Sequence, residues 1–193
     1  MCIRDSNNPR PNALCPGTFS LERHRLLWLY LNNELDISNR ALNVLHVAPA
    51  QVFLKKFKSI KDWTYTAIDL NSPLADIKAD LCDLPFKDKT YDLILCNHVL
   101  EHIIDDIKAM REIYRVLKPG GRFICLEFSM VNDTIVKKFY DLWSFKVIPK
   151  LGKIITNNED AYKYLIESIR MFPDQDKLSS MFIKSKFERV KYK

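Results

Sequence analysis

The chain alternates between short apolar runs and stretches whose apolar residues recur at helical spacing. Leu42–Ala50 (LNVLHVAPA) is the first such run, rich in β-branched and small residues and closed at Pro49. It reads as a buried first strand of a parallel sheet with a sharp exit into a helix. Thr64–Leu70, Ile77–Ala79, Tyr91–Cys96 (YDLILC) and Arg122–Phe128 repeat the pattern as strands 2 to 5. Between them, Val52, Phe53 and Phe57 place a helix over Gln51–Phe57. A second helix is expected from Asn97 through His102, Met110, Ile113, Val116 and Leu117, ended by Pro119-Gly120-Gly121. Upstream, Ser20 is the expected N-cap of a helix with Leu21, Leu27, Trp28, Leu31 and Leu35 on one face and Arg23, His24 and Arg25 in its first turn.

Strand–helix alternation with short connections predicts an α/β fold: a Rossmann-like, doubly wound, mostly parallel sheet with right-handed crossovers. Past strand 5, Val131–Lys150, Asn158–Met171 and Asp176–Lys184 have helical spacing, and Phe187–Tyr192 alternates like a strand. One domain is expected over residues 17–193, with a cofactor-binding part at 17–128 and an acceptor or lid part at 129–193. Residues 1–16 are polar and Pro-rich and are expected to be disordered. Within them Met1–Ser6 (MCIRDS) reads as a translated sequencing adapter and is set aside.

Composition narrows this little. With 193 residues and 47% hydrophobic content the chain fits one full α/β core. No apolar run approaches the roughly 18 residues of a spanning helix, and MCIRDS lacks an apolar signal core, so a cytoplasmic protein is expected. The five cysteines form no CxxC, which points to reduced thiols. Charge changes the picture more. The excess of +6 sits wholly in residues 134–193, which hold 13 Lys/Arg against 7 Asp/Glu. A basic, aromatic-bearing segment of this kind can make peripheral contact with an anionic inner membrane face, although solvated faces of ordinary helices are the simpler account of the same charge. No nucleic-acid partner is expected, because the excess is diffuse.

Ala48, Asp69, Asp80 and Asn97 fall at the carboxyl ends of strands 1 to 4, where such sheets bind ligands. Asp69 follows the strand-1 turn by about twenty residues, the distance at which a carboxylate takes ribose hydroxyls. The turn has no G-x-G-x-x-G, and the whole chain has only four Gly, which argues against a phosphate cradle. His98 and His102 stand four apart and would share a helix face, each a candidate base or a structural histidine. Their spacing suits a metal, but no third ligand is in sight, so no metal is expected.

The strand-1 turn LHVAPA, Asp69, the DLCDLPF loop at Asp80–Phe86, YDLILCNHVLEH at Tyr91–His102 and YRVLKPGG at Tyr114–Gly121 together resemble class I S-adenosylmethionine-dependent methyltransferases. The resemblance implies S-adenosyl-L-methionine as cofactor. Val47 and Ala48 would line its methionine moiety and Asp69 would take its ribose hydroxyls, with His46 and Leu70 also among the cofactor-binding residues. Asp80 and Leu81 would hold the adenine, and Cys96 and Asn97 the amino-acid end. His98 and His102 remain the candidate catalytic residues.

Residues 122–193 resemble the ubiquinone/menaquinone biosynthesis C-methyltransferase family through LEFS at Leu126–Ser129, FYDLWSFKVIPKLGKII at Phe139–Ile155, YKYLIESIRMFPDQ at Tyr162–Gln175 and FERVKY at Phe187–Tyr192. Residues 13–121 resemble a different bacterial methyltransferase group of unassigned substrate. A seam inside YRVLKPGG, with the adapter-like prefix, suggests a chain joined from two genes. The quinone family carries an Arg-Asn pair where Glu101-His102 stand, and its last strand lies beyond Lys193. The expected acceptor is a polyprenylated, membrane-dissolved quinol of demethylmenaquinone type, with Tyr140, Trp143 and Phe145 candidates for an apolar channel. Another small-molecule acceptor is the alternative, and a non-catalytic or decayed cofactor-binding protein the reading of another class.

Overall fold

The computed structural model describes Cys15, residues 20–127, Trp143 and residues 171–192. The expected disorder of residues 1–16 falls outside these apart from Cys15. The expected helices at Val131–Lys150 and Asn158–Met171 fall outside them apart from Trp143 and Met171, which are both exposed. Five strands form one sheet among the described residues: β1 (Leu42–Val47), β2 (Trp63–Asp69), β3 (Ile77–Lys78), β4 (Tyr91–Asn97) and β5 (Leu117–Leu126). Their order is β3-β2-β1-β4-β5. The pairs β1–β2, β1–β4 and β2–β3 are parallel, with Val44 opposite Tyr65 and Leu93, and Val47 opposite Ile68 and Cys96. The order reverses between β1 and β4, which is the switch point of a doubly wound sheet.

Side chains alternate along the strands. Val44, Trp63, Leu93 and Leu95 point into one buried cluster, covered by α1 (Glu22–Leu29), the π-helical turn Tyr30–Glu34 that continues it, and α2 (Gln51–Lys58). Leu27, Leu31, Leu35, Ile37, Phe53 and Phe57 supply the helical side, with the Phe53 and Phe57 rings stacked at 5.0 Å. The intervening residues Leu45, Val47, Ile68, Ile94 and Cys96 are also buried, so β1, β2 and β4 are covered on both faces.

Contacts divide the chain into two compact units. The first runs to Cys96 and takes back Arg115–Ile124; the second holds Asn97–Tyr114 and the chain from Cys125 onward. In the first, Arg115 fastens the 84–88 loop, donating from Nη1 to the Phe86 carbonyl (2.7 Å) and Asp88 (2.8 Å), and from Nη2 to the Leu84 carbonyl (2.9 Å). In the second, α3 (Asp106–Val116) buries Ala109, Met110 and Ile113, and α4 (Gln175–Lys184) buries Phe182. Phe187 packs edge-on against Tyr114 (5.5 Å) and Phe182 (5.4 Å).

Four expectations change. The first helix is capped at Leu21, not Ser20: the Leu21 amide donates to His24 Nδ1 (3.2 Å), while Ser20 is buried with its carbonyl accepting from Arg25 (2.7 Å). The helix expected from Asn97 is broken. Leu100–His102 is a single 3₁₀ turn, Ile103 is extended, and α3 begins afresh where Asp105 accepts from the Lys108 amide (2.9 Å). That helix ends at Val116, ahead of the Pro-Gly-Gly, because the carbonyls of Arg115 and Val116 accept from Lys89 (2.9 Å) and Thr90 (2.8 Å), and the chain enters β5 directly. Phe187–Tyr192 is no strand: Lys186 (φ 76°) and Arg189 (φ 54°) are left-handed. The Tyr192 hydroxyl donates to Asp176 (2.5 Å) instead of joining a ladder.

Candidate functional site

The carboxyl edge of β1 and β2 is built from two turns. β1 leaves the sheet through Ala48, a non-glycine residue at φ 48° whose amide donates to the Ile68 carbonyl (2.8 Å). A left-handed alanine costs about 1–2 kcal/mol, so the turn takes the conformation glycine would take without having one. β2 ends at Asp69, whose Oδ1 accepts from the amides of Asn71 and Ser72, both at 2.7 Å. Both bonds fall on one oxygen, Oδ1. Leu70, next in line, is 54% exposed and offers an apolar surface beside that carboxylate. Asp80 is exposed and its Oδ1 accepts from the Cys82 amide (2.8 Å), closing the turn after β3.

The structure corrects the expectation for His46. Its side chain is 0% exposed, among the rings of Phe53, Phe57 and Tyr65, with Nδ1 hydrogen-bonded to the Tyr65 hydroxyl (2.8 Å). Burial holds its pKa down to about 3, so it is a neutral core histidine and does not face a ligand. Burial, then the Asp76 carboxylate, pushes the Tyr65 phenol up. Val47, Leu81 and Cys96 are likewise buried. Asn97 closes β4, with a buried Oδ1 that has no partner among the described residues.

The expectation for His98 and His102 also changes. They do not share a helix face, because His98 is left-handed at φ 55° and the 3₁₀ turn begins only at Leu100. His102 is exposed, with Nε2 3.4 Å from Glu101 Oε1. His98 lies instead with Glu101 and Glu127, one donor atom from each within 4.8 Å of the others. Sequence reasoning missed Glu127, which is brought there because the His98 amide donates to the Leu126 carbonyl (2.8 Å). Glu127 Oε1 accepts from the amides of Val99 (3.0 Å) and Leu100 (3.1 Å). Burial, outweighing those two bonds and aided by Glu101, pushes the Glu127 carboxyl up to about 7. Burial also raises Glu101, against the opposing pull of His102.

A sequence profile of the ubiE/COQ5 methyltransferase family matches residues 58–193. The chain belongs to that family. The match is continuous across Tyr114–Gly121, where the seam was expected. The chain is 50% identical over 123 residues to the ubiquinone/menaquinone biosynthesis C-methyltransferase UbiE of Bartonella quintana, covering 63% of this chain and 47% of the relative. It is 46% identical over 129 residues to that of Rickettsia bellii, covering 66% of this chain and 52% of the relative. The chain thus spans about half the length of the curated relatives it matches. Its fold is that of S-adenosyl-L-methionine-dependent methyltransferases. It superposes on phosphoethanolamine N-methyltransferase 2 of Haemonchus contortus, solved with S-adenosyl-L-methionine, with a TM-score of 0.56 at 15% identity, over 84% of this chain and 37% of that one. On an S-adenosylmethionine-dependent methyltransferase of Thermotoga maritima the TM-score is 0.50 at 15% identity, over 86% and 78%. The expected doubly wound class I architecture is therefore observed.

Proposed function

We propose that this chain carries S-adenosyl-L-methionine-dependent methyl transfer to a ring carbon of a polyprenylated quinol precursor of demethylmenaquinone type. The carrying observation is the family match over residues 58–193, with about half identity to relatives named as ubiquinone/menaquinone biosynthesis C-methyltransferases. The residues at the carboxyl edge fit the cofactor. Ala48 turns the chain out of β1 in a glycine-like conformation, Asp69 would offer a carboxylate oxygen to ribose hydroxyls, and Leu70 and Asp80 would offer an apolar face and an acceptor to the nucleoside. The resemblance would have Leu81 help hold the adenine and Cys96 and Asn97 meet the amino-acid end. When bound, the cofactor supplies a methyl group activated on a sulfonium. The chain's part is to align that group with the acceptor and to exclude water. Its basic part, 13 Lys/Arg to 7 Asp/Glu over residues 134–193, supports peripheral contact with the inner membrane face where such a quinol dissolves. Among the described residues no helix is long and apolar enough to cross a membrane.

A second reading, another small-molecule acceptor, is favoured by one observation. Where the resemblance places an Arg-Asn pair, this chain has Glu101-His102, and the Glu101 side chain is buried. Incubation with methyl-labelled cofactor and demethylmenaquinone in detergent separates the two. Label in the quinone fraction is expected. Turnover of the cofactor with small phenols but not with the quinone would replace the first reading by the second.

A further inference from the structure

The methyl-transfer reading leaves His98, Glu101 and Glu127 without a task. They lie within the second unit, and their placement is set by the backbone. β4 ends at Asn97, and the left-handed turn at His98 is tied to Leu126 at the end of β5. The next residue, Glu127, is then fixed by the Val99 and Leu100 amides through Oε1. Glu101, on the 3₁₀ turn those amides open, has a side chain only 2% exposed. Oε2 of Glu101 and Oε2 of Glu127 are both buried and have no hydrogen-bond partner among the described residues. Two carboxylates taken out of water side by side call for positive charge between them, since neither amides nor a rim histidine at 3.4 Å offsets two buried negative charges.

We propose that His98, Glu101 and Glu127 form a binding site for a divalent first-row transition cation. One imidazole nitrogen and two carboxylate oxygens suit Mn²⁺, Fe²⁺ or Zn²⁺, whereas Ca²⁺ asks for about 6–8 oxygens and Mg²⁺ prefers oxygen and water. Metal–ligand bonds of about 2.0–2.2 Å put donors roughly 3–3.5 Å apart, which donor atoms all within 4.8 Å of one another reach by small side-chain movements. A neutral imidazole, two carboxylates and a dication sum to zero charge. Three protein ligands leave a position open, as in metal sites that accept water or a ligand. The raised carboxyls of Glu101 and Glu127 agree with a pair that lacks its counter-charge. A proton shared between the two carboxylates is the competing compensator. The site stands independently of the methyl-transfer reading.

The test uses the full chain after treatment with a chelating resin, titrated with MnCl₂ while the spectrum of free Mn²⁺ is followed, and with ZnCl₂ by calorimetry. Uptake of about one equivalent is expected. The isosteric E101Q/E127Q double variant should bind at least about tenfold more weakly, while D62N, at an exposed loop, should bind as the wild type does. No uptake of either cation by the wild type up to about 1 mM overturns the proposal and leaves the shared proton as compensator. Equal uptake by the double variant also overturns it, assigning the cation to surface carboxylates.

Discussion

His46 and Tyr65 are a polar pair inside an aromatic cluster, and their energetics follow from burial. Replacing either alone strands its partner, so H46L or Y65F should each cost about 1–3 kcal/mol, while the double variant should cost much less than their sum. Denaturant unfolding of the four proteins measures the coupling. The same burial fixes a pH dependence. The imidazole is held near 3 in the folded chain against an ordinary 6.5. The unfolded chain therefore binds the proton first, and the pair's contribution is full above pH 6.5 and is lost as pH falls toward 3. Stability of H46L/Y65F should fall less steeply over that window. At Ala48 the left-handed turn predicts that A48G is tolerated and A48V destabilises by more than about 1 kcal/mol, because a β-branched residue fits that region poorly. The sequence showed His46 as one letter of a strand, and which face it took depended on register against β2. Asp69 and Asp80 were legible as strand-end carboxylates. Both carboxylates also cap their own turns, bonds set by the local backbone and not by residue type alone.

The elements next to the YRVLKPGG motif have a mechanical role. Arg115 holds three acceptors of the 84–88 loop, so R115A should destabilise the fold by about 1–3 kcal/mol and raise proteolytic nicking within that loop. A Cβ on Gly121 would lie 2.9 Å from the Lys118 carbonyl and 3.1 Å from the Asp92 carbonyl, backbone atoms that cannot turn aside. A Cβ on Gly120 would meet open space, but its φ is +77°. G120N should therefore be nearly silent, since Asn tolerates the left-handed region, while G121A costs about 1–3 kcal/mol. Thermal unfolding distinguishes them. β1, α2, β2 and β4 were legible to within a residue or two, because a buried strand between turns has few alternatives. The α3 start was not. NHVLEHIIDDI has continuous helical spacing, and only the local competition of Asp105 for the Lys108 amide, with the left-handed His98, breaks it. Phe187–Tyr192 failed likewise, since alternation without a neighbouring strand edge makes no sheet. Glu127 was invisible as a partner of His98 because their meeting depends on β5 lying beside β4.

At the scale of the whole chain, the doubly wound sheet follows from strand order, and the family from motifs spread over its length. The profile match beginning at residue 58 extends the quinone-family likeness well ahead of residue 122, where it was first read. That extension leaves the joined-gene idea resting on the residues ahead of position 58 and on the adapter-like prefix. One uninterrupted genomic read over the codons of residues 100–135 would end it. Everything proposed for function depends on one capacity of the first unit, the binding of the methyl donor at the edge formed by Ala48, Asp69 and Asp80. Calorimetric titration of the full chain with S-adenosylhomocysteine tests this most directly. The account predicts binding of about one equivalent, weakened roughly 10–100-fold by D69N, which keeps an oxygen for the Asn71 and Ser72 amides but loses the charge. No heat at high protein concentration, or binding unchanged in D69N, would contradict it.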